Sequence, residues 1–342
     1  MGKVYPELFT APCIKRHEKN PILSCKDVPY DSALTFNAGI AKYQGKYVMI
    51  FRNDYGTTEE KWTDQTRFYK VGGGTNLGFA ESDDGINWKV RETPFLTKEQ
   101  AQAMDDVKSL YDPRLTVVDG ELMICCAMDT NHGVVGVIGK IHDLERIEII
   151  STTVPDNRNM VLFPEKIGGL YTRLERPFPV YSRGCDRFDV WLSQSPDLKF
   201  WGNGQLVLGV EHVPYANDKL GPAAPPIKTE KGWLTTFHAV DLDRERGKNG
   251  WETRWPKRYT AGIMLLDLEE PWKVIGMSKE PLIAPETDYE QDKGFRQNVI
   301  FPGGMILEDD GEVKIYYGAA DTVECLATAN VDDLIKLCVD KK

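Results

Sequence analysis

The stretch YDPRLTVVDGELMICCAMD, residues 111–129, reads as two short β-strands joined by a tight turn. Asp119-Gly120 supplies the turn, and the residues after it are apolar and strand-forming until the acidic Asp129. Asp-Gly between apolar runs is a strong hairpin signal, because both residues tolerate the positive φ that such turns need. The same design occurs in FNAGIAKYQGKYVMIFRND (36–54), NMVLFPEKIGGLYTRLERP (159–177), GPAAPPIKTEKGWLTTFHAVD (221–241) and NVIFPGGMILEDDGEVKIYYGAAD (298–321). Their turns fall at Gln44-Gly45, Gly168-Gly169, Lys231-Gly232 and Asp310-Gly311.

Each copy is followed by a further strand, a polar turn and another apolar stretch: 77–90, 134–150, 188–202, 261–276 and 324–338. Two hairpins make a four-stranded unit, and five units spaced roughly 50 to 80 residues apart fit an all-β, five-bladed propeller around a central channel. The expectation is one domain over residues 1–342, with blades starting near 36, 111, 159, 221 and 298. A β-sandwich with decorated loops would also give Gly turns and alternating strands, but it has no reason to repeat this two-part unit. The fifth unit runs into the weakly helical VDDLIKLC (331–338), which leaves its outer strand to be supplied by the N-terminal segment. The best other helix candidate is KEQAQAMDDVKSL (98–110).

At 342 residues the chain has room for two ordinary domains or one large all-β domain, and 41% hydrophobic with 27% charged residues is a folded composition. A net charge of -10 without a dense Lys/Arg stripe argues against nucleic acid as partner, so any anionic ligand must be held by local cations. MGKVYPELFTAPCIKRHEKN lacks the apolar core of a secretion signal, and no apolar run is long enough to span a membrane. A soluble, cytoplasmic protein is expected. The seven cysteines (13, 25, 125, 126, 185, 325, 338) are scattered without a CxxC pair and read as reduced thiols rather than zinc ligands or disulfides. No metal site is expected.

In a propeller the innermost strands line the channel, so functional groups should gather at corresponding places in the repeats. The first strands open with Asn37, Asp112, Arg158-Asn159, Asp218-Lys219 and Gln297-Asn298. The second strands finish on Arg52 and Asp54, Asp129, Arg176, His238 and Asp321. Pro113 fixes its own φ and biases Asp112 towards an extended backbone, presenting a rigid carboxyl; as an isolated tripeptide, DPR would more simply be a turn Asp paired with Arg114. Arg158, Arg176, Lys219 and His238 offer the forks and point charges that suit a phosphate or carboxylate, although each alone could be a salt-bridge partner. Tyr259 could add a hydroxyl. The Gly run at 72–74 lacks the Lys-Ser/Thr of a phosphate loop, neither GxSxG nor HExxH occurs, and His132 and His212 read as loop residues. Loop aromatics at 62, 69, 215, 251 and 255 could stack on sugar rings or simply pack.

The segments YDPRLT, NRNMVLFPEKIGGLYTRLERP, SQSPDLKFWG, GWLTTFHAVD and FPGGMI…IYYGAAD, in this order between about residue 20 and about 338, resemble glycoside hydrolase family 130, the β-mannoside phosphorylases. The resemblance implies that Asp112 is the general acid, acting through a sugar-hydroxyl relay, and that Arg158, Asn159, Arg176, Lys219, His238 and Tyr259 bind phosphate. It also implies that Asn37, Arg52, Asp54, Tyr111 and Asp321 hold the mannosyl unit. The HAVD segment and the insertion DLDRERGKNGWETRWPKR (241–258) depart from the family pattern and bear on linkage and acceptor. The implied reaction is inverting phosphorolysis of a β-1,2- or β-1,4-mannoside to α-D-mannose 1-phosphate, with inorganic phosphate as co-substrate and no other cofactor. Bound phosphate replaces the second carboxylate and water of an inverting hydrolase, so one catalytic carboxyl suffices. A hydrolase on the same propeller and a noncatalytic sugar-binding propeller are the rival readings. Homo-oligomers are compatible with the family, and no stripe in the sequence forces one.

Overall fold

Each repeat folds as an antiparallel ladder, in a computed structural model that describes residues 7–56, 73–179, 181–183, 187–243, 246, 256–291 and 293–339. A short strand β1 (Lys15–Arg16) precedes the first blade, made of β2 (Leu34–Tyr43), β3 (Lys46–Tyr55), β4 (Gly74–Ser82) and β5 (Lys89–Val90). Helix α1 (Lys98–Gln102) leads into blade two, β6 (Val107–Val118), β7 (Glu121–Thr130), β8 (Gly133–His142) and β9 (Arg146–Thr152). Blade three is β10 (Asn157–Leu162), β11 (Tyr171–Pro177), β12 (Val190–Ser195) and β13 (Gly202–Leu208). Blade four is β14 (Lys219–Pro222), β15 (Ile227–Thr229), β16 (Gly232–Leu242), β17 (Lys257–Leu266) and β18 (Val274–Met277). After α2 (Asp288–Gln291) come β19 (Ile300–Leu307), β20 (Glu312–Ala319), β21 (Val323–Asn330) and the terminal α3 (Val331–Val339). The five sheets make a five-bladed propeller.

What makes the sheets a ring is the alternation of side chains along each middle strand. In β3, Val48 and Ile50 enter the core shared with blade two, while Met49 and Phe51 enter the core shared with blade five. In β7, Leu122, Ile124 and Cys126 face blade one and Met123 and Cys125 face blade three. In β17, Met264 and Leu266 pack towards blade three and Ile263 and Leu265 towards blade five. A strand sends successive residues to opposite faces, so a strand that is apolar throughout must be covered on both. Each blade therefore shares one apolar core with each neighbour, and the ring is the arrangement that gives every sheet two neighbours.

The structure differs from the sequence reading in three places. Blade four has five strands, because Pro225 and Pro226 interrupt its inner edge and divide it into β14 and β15, both paired with β16. Helix α1 stops at Gln102, and Val107 to Leu110 already belong to β6. Asp112 is not extended: its φ is +52°. The N-terminal segment does supply the outer strand of blade five, with Lys15 and Arg16 paired to Thr328 and Ala327 of β21. Arg16 fastens this seam by ion pairs to Glu290 (2.8 Å) and Glu286 (2.8 Å). Among the described residues Cys13, Cys125, Cys126, Cys325 and Cys338 are free thiols, and Cys185 lies outside the described residues. No helix among the described residues is long and apolar enough to cross a membrane.

Candidate active site

The innermost strands carry a repeated irregularity. Asn37, Asp112 and Asn159 have φ of +51°, +52° and +60°, and each begins a bulge in which two residues of the inner strand face one of its partner. Asn298, at +54°, occupies the matching place just before β19. A bulge of this kind re-aims a side chain that a regular ladder would send between the blades, and Asn and Asp enter the left-handed region at lower cost than other side chains. This requirement overrides the bias that Pro113 places on Asp112.

The bulges open into one cavity of about 220 Å³ at the channel mouth, lined by Asn37, Arg52, Tyr111, Asp112, Arg158, Asn159, Arg176, Lys219, His238, Tyr259 and Asp321. Eleven of the twelve residues expected at the site are thus brought together. The twelfth, Asp54, does not line the cavity; its carboxylate receives Arg52 Nε (2.9 Å) and Nη2 (2.8 Å) and the Thr75 hydroxyl (2.7 Å), so it aims Arg52. Arg296, Val299 and Phe301 also line the cavity and were missed. The available signal for Arg296 was its place two residues before Asn298, in the segment that corresponds to Arg158-Asn159.

One wall is acidic. Asp112 Oδ1 accepts from Asn37 Nδ2 at 3.0 Å and from Arg52 Nη1 at 3.4 Å. Burial works against the Arg52 charge, but Asp54 and Asp112 outweigh it and raise its pKa. Asp321 stands 3.5 Å from Arg296 Nε; burial pushes its pKa up to about 6, although Arg296 and Arg52 pull the other way. Tyr111 donates to Asp129 (2.9 Å) and accepts from Arg158 Nη1 (3.4 Å), with its own pKa raised to about 12 by burial.

The rest of the lining is cationic and is braced by aromatic rings. Arg176, 2% exposed, lies 5.0 Å from the Phe188 ring centre, and Arg158 lies 5.4 Å from that of Phe178. Neither has an ion-pair partner among the described residues, and Arg176 Nε and Nη2 are buried without a hydrogen bond. Burial and the nearby Arg158 lower the Arg176 pKa to about 9. Lys219, between the rings of Phe188 and Tyr259, is brought down to about 7 by burial, Lys257 and Arg176. His238 stacks 6.0 Å from Tyr259, and both its ring nitrogens are buried without partners. Burial and the cations around it push His238 well below its usual pKa, so at neutral pH one ring N–H is a neutral donor. Buried donors normally have acceptors, so the unpartnered donors of cationic Arg176 and neutral His238, beside Arg158 and Lys219, are chemically suited to an anion.

Other residues take structural places. Tyr215 is buried in the core shared by blades three and four, so it does not stack on a ligand. The aromatics at 62, 69, 251 and 255 lie outside the described residues. Arg114 is buried, donating to the carbonyls of Ala223 (2.7 Å) and Pro113 (2.8 Å), and forms no ion pair with Asp112. His132 and His212 are exposed, and the described residues contain no cluster able to hold a metal ion.

Residues 13–340 match the family described as beta-1,4-mannooligosaccharide phosphorylase. The chain is 30% identical to a 1,2-β-oligomannan phosphorylase of Thermoanaerobacter, an alignment covering 94% of this chain and 98% of the relative. It is 31% identical to a β-1,4-mannooligosaccharide phosphorylase of Ruminococcus albus, covering 94% and 90%. Among solved structures, the β-1,2-mannobiose phosphorylase of Listeria innocua, in complex with β-1,2-mannobiose, superposes with a TM-score of 0.78 at 25% identity, covering 95% of this chain and 98% of that one. Fold, cavity and sequence agree: the chain belongs to glycoside hydrolase family 130, the family of the β-mannoside phosphorylases.

Proposed function

We propose that this cavity carries out inverting phosphorolysis of a terminal β-mannosyl bond. Phosphate is held by Arg158, Asn159, Arg176, Lys219, His238 and Tyr259, and one of its oxygens attacks the anomeric carbon. The bond from that carbon to the leaving sugar oxygen breaks, a proton originating on Asp112 ends on that oxygen, and α-D-mannose 1-phosphate leaves with the shortened sugar. Asn37, Arg52, Tyr111 and Asp321 surround the mannosyl ring in this reading, and Asp54 fixes the Arg52 fork.

The observation that carries the proposal is the set of unpartnered donors on Arg176 and His238 lining the same cavity as Asp112. With the nucleophile already anionic, the rest of the lining needs cations and no catalytic base. The free thiols of Cys13, Cys125, Cys126, Cys325 and Cys338 suit a reducing compartment, and the proposal places the enzyme in the cytoplasm.

The test is an assay of β-1,2- and β-1,4-mannobiose with and without phosphate. Mannose 1-phosphate should form only with phosphate, and the preferred disaccharide identifies the linkage. Asp112→Asn should lose about 10²–10⁴ of turnover with the fold intact, the usual contribution of a general acid. Equal release of free mannose with and without phosphate would establish a hydrolase instead.

A further inference from the structure

The bulge at Asn37 leaves the next amide, Ala38 N–H, without a ladder partner, since Phe36 pairs with Arg52 and the register resumes at Gly39 with Ile50. Ala38 is fully buried, so that donor cannot turn to water. It is taken by Glu324 Oε2 at 3.1 Å, from a residue of β21 in blade five that is itself 0% exposed. The surroundings leave the bulge little freedom. Gly318 and Gly303 of blade five lie so close that an added Cβ would stand 2.3 Å from Asn37 Oδ1 and 1.9 Å from the Ala38 carbonyl oxygen. From this seat Asn37 reaches the Asp112 carboxylate at 3.0 Å.

We propose that Glu324, which lines no part of the cavity, is a positioning residue for the reaction: by accepting the Ala38 N–H it fixes the bulge that aims Asn37 at Asp112. The assignment rests on the reading of Asp112 as the acid. The other oxygen of Glu324 has no partner, and Arg114, the nearby cation, spends its hydrogen bonds on the carbonyls of Ala223 and Pro113. A buried carboxyl placed only to balance Arg114 would be expected to pair with it. Burial pushes the Glu324 pKa up to about 8 against the pull of the Ala38 amide and Arg114, so at neutral pH glutamine is a close stand-in for it.

The experiment compares Glu324→Met and Glu324→Gln in the wild-type and Asn37→Ala backgrounds, reading kcat and the KM for phosphate. Glu324→Met should lower kcat about tenfold with phosphate KM within about twofold, the loss expected when one buried hydrogen bond is left unmade. Glu324→Gln should stay within about twofold of wild type, because it preserves the acceptor. In the Asn37→Ala background, Glu324→Met should cost no more than about twofold further, since both changes cut the same connection. Unchanged kcat in Glu324→Met, an equal loss in Glu324→Gln, a comparable rise in phosphate KM, or a full second loss on top of Asn37→Ala would each overturn the assignment. Should Glu324→Met not be recovered folded, Glu324→Asp, which withdraws the carboxyl from Ala38 by one methylene, is judged by the same criteria. Wild-type turnover in Asp112→Asn would sink the acid reading itself; an inactive Asp112→Asn with additive Glu324 and Asn37 losses would sink only the role of Glu324.

Discussion

Lys219 gives the cationic wall a measurable signature. Its ammonium, ordinarily near 10.5, is brought to about 7 by burial, Lys257 and Arg176, so close to half of the molecules lack this proton at neutral pH. An anion seated among Arg158, Arg176 and His238 reverses the balance, restores the charge on Lys219 and draws a proton from solution. The linkage predicts uptake of about 0.5 proton at pH 7 and about 0.9 at pH 8, and a fall of about tenfold in affinity between pH 6 and pH 8. Sulfate is the right probe, because it has no proton of its own to lose in this range. Isothermal titration calorimetry in two buffers of different ionisation enthalpy measures the uptake directly. Asp321, near 6, contributes uptake of its own at the acidic end, so the informative quantity is the difference between wild type and Lys219→Met. Lys219→Arg should bind sulfate with little pH dependence, as a guanidinium stays charged throughout. Equal uptake by wild type and Lys219→Met at pH 8 would refute the reasoning.

Arg176→Met should raise the thermal midpoint of the phosphate-free protein while abolishing the further rise that phosphate causes, because a buried unpaired cation costs stability until its anion arrives; scanning calorimetry with and without phosphate tests both halves. Asn37→Gly should fold as well as wild type yet lose turnover, whereas Asn37→Ala should in addition lose about 1 kcal/mol, because alanine keeps the Cβ at positive φ without the polar side chain that lets asparagine tolerate it; denaturant unfolding beside steady-state kinetics separates the two. Arg16→Met should destabilise the protein by about 3 kcal/mol in urea, because it strips the ion partner from fully buried Glu290. That figure sits at the low end for a broken buried pair because Glu290 also accepts from Tyr317 and the amides of Glu286 and Thr287.

The blades were legible because their signals are local. Gly-containing turns between strand-forming runs fix each hairpin, and uninterrupted apolar strands such as LMICC require cover on both faces. Most of the site followed, because fivefold repetition carries a position in one blade to its counterpart in the next. What escaped was decided between blades. Pro113 speaks for an extended Asp112, but the bulge that turns its carboxyl into the channel sits against Gly39 of blade one, where an added Cβ would stand 2.9 Å from the Pro113 carbonyl oxygen. Asp54 shares a face of β3 with Arg52 and is as plausible a site residue, and only the fork between them and the cavity lining show that Arg52 is the one that reaches the cavity. Arg296 lies in a loop before β19, where no periodicity marks it. The helical reading of 98–110 held over Lys98–Gln102 and failed beyond it, because Val107 to Leu110 pair with β7, a longer-range contact than helix propensity reports.

The seam between blades five and one has a consequence for how activity arises as the chain is made. Asn37 belongs to the first blade, yet its bulge is seated by Gly303 and Gly318, and the amide beside it by Glu324, all in the fifth. A ribosome-bound chain holding four finished blades carries Asp112 and the whole cationic wall but none of these supports. Catalytic competence should therefore appear only when blade five packs against blade one and residues 15 and 16 pair with β21. Chains lacking that last blade are expected to bind phosphate weakly and turn nothing over, so closure of the ring doubles as a check that all five blades are in place.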